Sequence, residues 1–178
     1  MTNYRRLFVP GATWFFTVNL EERHNNHLLI ENLGLLRAAF AYVKERKPFS
    51  IEAVVIMPDH LHCIWTLPPG DGDYPIRWNL LKGHFSHAMP RDEKISTSRR
   101  KRRERGVWQR RFWAHMITDQ ADFNNHVDYI HWNPVKHGWV KCVVKWPHSS
   151  FHRYVAEGNY PPDWGHSGVF DIPVHSDR

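Results

Sequence analysis

The chain has 178 residues, of which 42% are hydrophobic and 24% charged, so a single globular domain over residues 1–178 is expected. Its formal net charge is +6 and its pI is about 9.5, which favours polyanions such as nucleic acids as partners. It has no apolar run of the roughly 20 residues that a membrane span needs and none typical of a signal peptide, so we expect a cytoplasmic protein.

Strand and helix patterns alternate in the first half of the chain. Residues 14–20 are aromatic and β-branched and follow the turn-forming Pro10-Gly11 pair, which predicts a strand. Residues 32–47 carry apolar side chains at three- and four-residue spacing and predict a helix. Two apolar runs, 50–57 and 60–67, are separated by a Pro-Asp pair and predict a hairpin of central strands.

The second half continues with a helix, a basic segment, a strand and another helix. Residues 76–89 predict the helix, and residues 91–106 are strongly basic and are predicted to be irregular. Residues 107–117 are rich in Trp, Phe and Arg and predict a strand. Asp119 is the expected N-cap of the next helix, which Pro134 is expected to end or bend.

This order of elements predicts the fold class. Strands and helices follow one another as β-α-β-β-α-β-α with a hairpin in the middle, which indicates an α+β fold with helices on one face of an antiparallel sheet. From about residue 140 to residue 178, prolines and glycines are frequent. We therefore expect an irregular C-terminal extension there.

The strand predicted over residues 60–67 contains two histidines in alternation. His60 and His62 point to one face of a strand, while Leu61 and Cys63 point to the other. Two imidazoles whose Cα atoms are about 7 Å apart can converge on one divalent ion. The alternative is a pair of sheet histidines without a ligand, because fourteen histidines make chance pairs common.

The helix predicted after Asp119 carries a tyrosine and an asparagine on one face. Tyr129 and Asn133 are four residues apart, so their side chains are neighbours on a helix. The tyrosine could present its hydroxyl to a phosphate, and the amide oxygen of the asparagine could be a third metal ligand. A packing tyrosine followed by an Asn-Pro helix stop is the alternative interpretation.

A basic run over residues 99–105 is followed by arginines interleaved with aromatic side chains up to residue 113. A charge run alone is typical of a solvated face, but guanidinium groups hold phosphates and aromatic planes stack on bases. This segment and an arginine pair near the amino terminus therefore predict nucleic-acid binding. The predicted DNA-binding residues are Arg5, Arg6, Arg99, Arg100, Lys101, Arg102, Arg103, Arg105, Trp108, Arg110 and Arg111.

Three motifs together resemble those of a known family. They are residues 57–62 (Met-Pro-Asp-His-Leu-His), residues 108–113 (Trp-Gln-Arg-Arg-Phe-Trp) and residues 129–135 (Tyr-Ile-His-Trp-Asn-Pro-Val). In this order and spacing they are similar to the REP-associated tyrosine transposases, which belong with the single-tyrosine HUH transposases of bacterial insertion sequences. The resemblance runs from about residue 4 to residue 164, nearly the whole chain.

The resemblance implies a ferredoxin-like antiparallel sheet with helices packed on it, of the HUH endonuclease type. It implies His60 and His62 as metal ligands with Asn133 near the metal. It implies Tyr129 as the nucleophile that forms a 5′-phosphotyrosine bond and frees a 3′ hydroxyl during DNA transposition. It also implies binding of imperfect DNA hairpins with a short single-stranded guide beside the stem, and so association with the nucleoid.

The expected cofactor is a divalent metal, Mg²⁺ or Mn²⁺; histidines with an amide oxygen suit Mn²⁺. A monomer is favoured over a homodimer, because the segment after Gly138 could cover the surface that a partner would use. The competing hypothesis is a domesticated regulatory protein that holds hairpin DNA without cutting it. A replication initiator or relaxase of the same superfamily is a third possibility, although those proteins are usually larger.

Other polar residues near these motifs have simpler interpretations. His115, His126 and His131 are interpreted as surface or packing residues rather than ligands. Asp59 is adequately explained as part of the Pro-Asp hairpin turn. The two cysteines, Cys63 and Cys142, show no pattern of a disulfide framework or of a zinc site.

Overall fold

The computed structural model describes residues 7–90, 97–101 and 105–165, and of Arg99 and Arg100 it describes the backbone alone. Among these residues the strands are β1 (Thr13–Asn19), β2 (Ser50–Ile56), β3 (His60–Thr66) and β4 (Trp113–Met116). The α-helices are α1 (Leu28–Glu31), α2 (Leu33–Arg46), α3 (Tyr74–Ala88), α4 (Thr97–Lys101), α5 (Gln120–Lys136) and α6 (Phe151–Ala156). A short 3₁₀ helix, Val143–Lys145, lies between α5 and α6.

The four strands form one antiparallel sheet in the order β2-β3-β1-β4. β1 pairs with β3 so that Thr17 lies opposite His62 and Asn19 lies opposite His60. On its other side β1 pairs with β4, where Trp113 lies opposite Thr17. The predicted α+β class and the β2–β3 hairpin are confirmed, and β3 is central as expected.

β2 is an edge strand of the sheet, so its prediction as a central strand was wrong. The outer edge of β2 is nevertheless covered by a later part of the chain. The N–H of Ile56 donates to the carbonyl of His148 at 2.9 Å, and the N–H of Ser150 donates to the carbonyl of Val54 at 2.8 Å. A covered edge permits the apolar run of an interior strand, and this is why the pattern was misleading.

Helices cover both faces of the sheet, which corrects the prediction of helices on one face. α2 and α3 pack on the face that includes Phe16 and Cys63. α5 packs on the opposite face, against Phe15 and Ile64. The burial of β3 agrees with this arrangement, because six consecutive residues of the strand are buried, as in a strand covered on both sides.

The segment between α3 and α5 differs from its prediction in two ways. The region predicted to be irregular contains α4, whose Arg and Lys residues are good helix formers. The observed strand is shorter than the one predicted over residues 107–117. β4 begins only at Trp113, and before it there is an isolated bridge between Trp108 and Leu20. Between them the carbonyl of Gln109 accepts a hydrogen bond from Nζ of Lys82 at 2.9 Å, outside the strand ladder.

α5 is one continuous helix that carries both Tyr129 and Asn133. It begins after Asp119, whose side chain caps the first turn as predicted. Pro134 was expected to end or bend this helix, and the first of these is wrong, since the helix continues to Lys136. Pro134 lies in the last turn, where it removes one N–H donor, and the next turn is closed by His137 donating to the carbonyl of Asn133 at 3.0 Å.

The segment after residue 140 packs against the sheet through aromatic side chains. Nε1 of Trp146 donates to the carbonyl of Ile56 at 3.0 Å, and Phe151 is fully buried. None of the helices that the structure describes combines the length and the apolar character required to cross a membrane.

Candidate active site

β3 presents its two histidines toward α5. The ring centroids of His60 and His62 are 5.0 Å apart, and the two residues are 2% and 0% exposed. Leu61 and Cys63 lie in the core on the opposite face. The common face predicted for the two histidines is therefore confirmed.

Each of the two histidines is oriented through its Nδ1 atom. Oδ1 of Asp59 lies 2.6 Å from Nδ1 of His60, and Nε of Arg23 donates to the other oxygen of this carboxylate at 2.7 Å. Oγ1 of Thr17 lies 2.9 Å from Nδ1 of His62. Partners of this kind fix the ring orientation and make Nε2 the nitrogen that can bind a metal.

Asp59 therefore does more than form a hairpin turn. Burial by itself raises the pKa of Asp59, but its hydrogen bonds with His60 and Arg23 and the positive charge of Arg23 outweigh this effect and lower the pKa to about 2. The carboxylate is ionised at neutral pH. It can hold a proton on the near nitrogen of His60, which leaves a lone pair on the far one.

α5 places Tyr129 directly against these histidines. The ring centroid of Tyr129 is 5.2 Å from that of His62 and 6.0 Å from that of Phe15. Nζ of Lys136 donates to the hydroxyl of Tyr129 at 3.2 Å. A phenol, a histidine pair and an ammonium group are thus in contact. Tyr129 as a whole is 3% exposed.

Several of the buried polar atoms without a partner among the described residues belong to this site. Asn133 is fully buried, and neither atom of its amide has a hydrogen-bond partner among the described residues. The same is true, within the described residues, of Nε2 of His60 and of Oδ1 of Asn19, the residue opposite His60. Because each such atom costs about 1–3 kcal/mol, an imidazole nitrogen and amide oxygens left without partners here fit a divalent ion held by these groups.

Five residues of this site were missed by the sequence analysis, namely Thr17, Asn19, Arg23, Lys136 and His137. The ring centroid of His137 is 5.2 Å from that of His60. The spacing of seven residues between Tyr129 and Lys136 could have been noticed, because it returns to the same helix face after two turns. Asn19 is paired with His60 by strand register, which the sequence does not show.

The predicted DNA-binding residues are described to different extents. Lys101, Arg110 and Arg111 are exposed. Arg99 and Arg100 belong to α4, although their side chains are not described. Four others lie outside the described residues, namely Arg5, Arg6, Arg102 and Arg103.

Two of the predicted DNA-binding side chains are used within the fold. Arg105 donates to the carbonyls of Ser86 and Met89 at the end of α3, the latter at 2.8 Å. Trp108 is 7% exposed and its ring centroid lies 5.3 Å from that of Phe85. In this structure the ring of Trp108 is therefore not available to stack on a base.

Trp113 is an exposed aromatic residue on the same face as the histidine pair. The register places His62, Thr17 and Trp113 in one row across three neighbouring strands. At the usual strand spacing, the Cα atoms of His62 and Trp113 are about 10 Å apart. Since Trp113 is 54% exposed, its indole is open to a ligand that approaches the histidines.

Comparisons with known proteins decide the family. The profile of a family described as "Transposase IS200 like" matches residues 17–133. A REP-associated tyrosine transposase of Escherichia coli strain K12 is 49% identical over 164 residues, which are 92% of this chain and 91% of that protein. The chain belongs to the REP-associated tyrosine transposases, within the IS200-like transposase family.

Two further comparisons extend over the whole length of the chain. A Haemophilus influenzae protein that provisionally bears the same family name is 44% identical over 178 residues, 99% of both chains. A solved structure of a REP-associated tyrosine transposase bound to a REP hairpin is 45% identical, with a TM-score of 0.82 and full coverage of both chains. The ferredoxin-like α+β fold implied by the motifs is thereby confirmed. As a REP-associated tyrosine transposase, the protein is a transposase enzyme.

Proposed function

We propose that this REP-associated tyrosine transposase is a metal-dependent endonuclease and strand transferase that acts on single-stranded and hairpin DNA through a 5′-phosphotyrosine intermediate. The observation that carries the proposal is the contact between Tyr129 and His62, whose ring centroids are 5.2 Å apart. It makes a potential nucleophile the neighbour of a potential metal ligand. In metal-assisted phosphoryl transfer, the nucleophile and the metal ion act on the same phosphate.

Tyr129 acts as the nucleophile. Its phenolic oxygen attacks a backbone phosphorus, so that an O–P bond to the tyrosine forms and the P–O3′ bond breaks. The DNA on the 5′ side leaves with a 3′ hydroxyl, which takes up a proton, and the phosphate at the new 5′ end stays on Tyr129. Attack by a 3′ hydroxyl reverses these steps and joins the strands, with no need for ATP because the ester retains the bond energy.

The histidine pair and Asn133 would hold the divalent ion, Mg²⁺ or Mn²⁺. When bound, the ion supplies positive charge at the non-bridging oxygens of the scissile phosphate. Asp59 and Thr17 keep the two imidazoles in their orientations through the Nδ1 contacts.

A phenol has an ordinary pKa near 10 and is a poor nucleophile at neutral pH without help. The ammonium group of Lys136, 3.2 Å from the hydroxyl of Tyr129, stabilises the phenolate as its proton leaves to solvent. After the attack the same charge faces the phosphotyrosine. Lys136 is therefore the residue that activates the nucleophile.

Replacing Lys136 with Met should lower the single-turnover cleavage rate by about 100-fold, because the phenolate loses its stabilising charge. The pH–rate profile should also shift to higher pH, since the tyrosine must then ionise without the help of the ammonium group. The measurement is a pH–rate profile with DNA at saturation. Lys145→Met, at an exposed lysine beyond α5, is the matched control. A profile for Lys136→Met that overlays the wild type would contradict this role.

Exposed cations and Trp113 outline the proposed DNA path. Arg110 and Arg111 precede β4, near the end of β1 that carries Asn19, since the N–H of Gln109 donates to the Asn19 carbonyl at 3.0 Å. Guanidinium groups bind phosphates, and an exposed indole stacks on an unpaired base. Hairpin DNA is the proposed ligand because a relative with 45% identity was solved bound to a REP hairpin.

Replacing Arg110 and Arg111 with Gln should weaken hairpin binding and flatten its salt dependence. Each lost phosphate contact lowers the slope of log K against log salt by about 0.7 to 0.9, while discrimination between hairpin sequences should change less. Fluorescence anisotropy at several salt concentrations measures both effects. Arg37→Gln with Lys44→Gln removes two exposed charges from α2, on the opposite face of the sheet, and should leave the slope unchanged. Equal slopes for the two double variants would place the phosphate contacts elsewhere.

The direct test of the proposed function is cleavage of end-labelled hairpin DNA in the presence of Mn²⁺. We expect a discrete single-strand cut that a chelator suppresses. Tight hairpin binding with no cut under any divalent ion would favour the regulatory, non-cleaving alternative.

A further inference from the structure

A second group of metal-binding side chains lies beside the proposed active site. His115 of β4 and two residues of α5, Asp122 and His126, offer ligand atoms that all lie within 4.8 Å of one another. The two imidazole rings are nearly parallel, with centroids 4.8 Å apart. Both histidines were interpreted as surface or packing residues, and the structure brings the two of them to one carboxylate.

We propose that His115, Asp122 and His126 form a second divalent-metal site, of the kind that takes Zn²⁺. Two imidazoles and one carboxylate are a common protein ligand set for zinc, and solvent supplies the remaining position. Imidazole ligands favour Zn²⁺ and its transition-metal neighbours over Mg²⁺ or Ca²⁺.

The separations between the donor atoms fit such a site. One oxygen of Asp122, Oδ1, lies 2.9 Å from Nδ1 of His126 and 3.2 Å from Nε2 of His115. In a tetrahedral site with ligand distances of about 2.0–2.1 Å, neighbouring donors are about 3.4 Å apart. The carboxylate oxygen and each histidine nitrogen would need to separate by only a few tenths of an ångström. The ion would replace the proton on Nδ1 of His126, which now lies 2.9 Å from this oxygen and 2.8 Å from the backbone carbonyl of Asp122.

The carboxylate is held in place by the start of α5. The N–H of Thr118 donates to Oδ2 of Asp122 at 2.9 Å, and the N–H of Asp122 donates to the side chain of Asp119. His115 contacts both oxygens of this carboxylate, with its Nε2 2.9 Å from Oδ2 and 3.2 Å from Oδ1, and Oδ1 is the oxygen that also lies beside His126. Burial would raise the pKa of Asp122, but the bond from Thr118 and the proximity of His115 lower it, so the carboxylate stays ionised.

The two histidines provide one buried and one accessible ligand. The side chain of His126 is 8% exposed, and burial lowers the pKa of His126, which favours the neutral ring that binds metals. The side chain of His115 is 36% exposed and gives an ion a way in from solvent.

Phe15 separates this group from the proposed active site. Its ring centroid is 4.6 Å from that of His126 and 5.7 Å from that of His62, so it lies between the two histidine pairs. A metal here would not reach the phosphate at Tyr129. It would instead link β4 to the first turns of α5. Because His126 precedes Tyr129 by three residues, the link would hold the helix that carries the nucleophile in place.

The test counts zinc bound to the purified full-length protein after equilibration with Zn²⁺ and dialysis. His115→Phe keeps the ring that stacks on His126 and removes its nitrogens. His87→Phe makes the same change at an exposed histidine of α3 and is the matched control. We expect His115→Phe to bind one zinc fewer than both the wild type and His87→Phe, and to lose a Zn²⁺-dependent rise in Tm that both of them show.

Asp122→Asn provides a second variant that keeps an oxygen for the N–H of Thr118 but removes the negative charge, and it should also bind one zinc fewer. The count is a difference, so it does not depend on whether His60 and His62 hold an ion of their own. Equal zinc counts in the wild type, His115→Phe and Asp122→Asn would overturn the proposal. An equal loss in His87→Phe would also overturn it, because the zinc would then be bound by surface histidines in general.

Discussion

Tyr129→Phe should abolish both DNA cleavage and the covalent protein–DNA adduct, with a loss of at least about 10⁴-fold in rate. The phenolic oxygen is the atom that bonds to phosphorus, and no neighbouring group can replace it at the same position. The Phe ring keeps the packing against His62 and Phe15, so hairpin affinity and the unfolding temperature should change little. Denaturing gels report the cut and the adduct, and anisotropy reports the binding.

The matched control for this prediction is Tyr154→Phe. Tyr154 is half-buried and its hydroxyl donates to the carbonyl of Glu52 at 3.0 Å, away from the histidine pair. This variant should cut hairpin DNA at the wild-type rate. An adduct that persists in Tyr129→Phe would show that another residue is the nucleophile.

Replacing His60 and His62 together with Ala should remove cleavage and its dependence on divalent metal at once. Two of the few proposed ligands are then lost, and we expect a fall in rate of at least about 10³-fold. Because the two side chains are 2% and 0% exposed, the change also leaves a cavity and will lower the unfolding temperature. Retained hairpin binding shows that the variant is folded.

A substitution at His87, an exposed histidine of α3, is the control for the histidine pair. His87→Ala should cut normally and remain metal-dependent. Wild-type cleavage by the His60 and His62 double variant in the presence of a chelator would exclude the proposed metal ligands.

Local periodicity made part of the active site predictable. The two-residue repeat of a strand puts His60 and His62 on one face, and the spacing of four residues on a helix relates Tyr129 to Asn133. Neither pattern contains the distance between β3 and α5. That distance follows from packing. The expectation that Tyr129 lies beside the histidine pair came from the family resemblance and not from a physical derivation.

Contacts set by strand register or by chain reversal could not be predicted in this way. Thr17 meets His62 because β1 and β3 pair in one particular register, and Arg23 reaches Asp59 across 36 residues of sequence. The group of His115, Asp122 and His126 depends likewise on the packing of β4 against α5. The error at Pro134 has a local cause, since a proline in the last turn of a helix removes one donor and need not end the helix.

The measurement that bears most directly on the proposed function is peptide mapping of the covalent adduct by mass spectrometry. The full-length protein is incubated with single-stranded hairpin DNA and Mn²⁺ and then digested with protease and nuclease. We expect one modified peptide, with a 5′-linked nucleotide phosphate on Tyr129. A nucleotide on any other residue, or DNA that is cut with no peptide modified, would contradict a phosphotyrosine mechanism at this site.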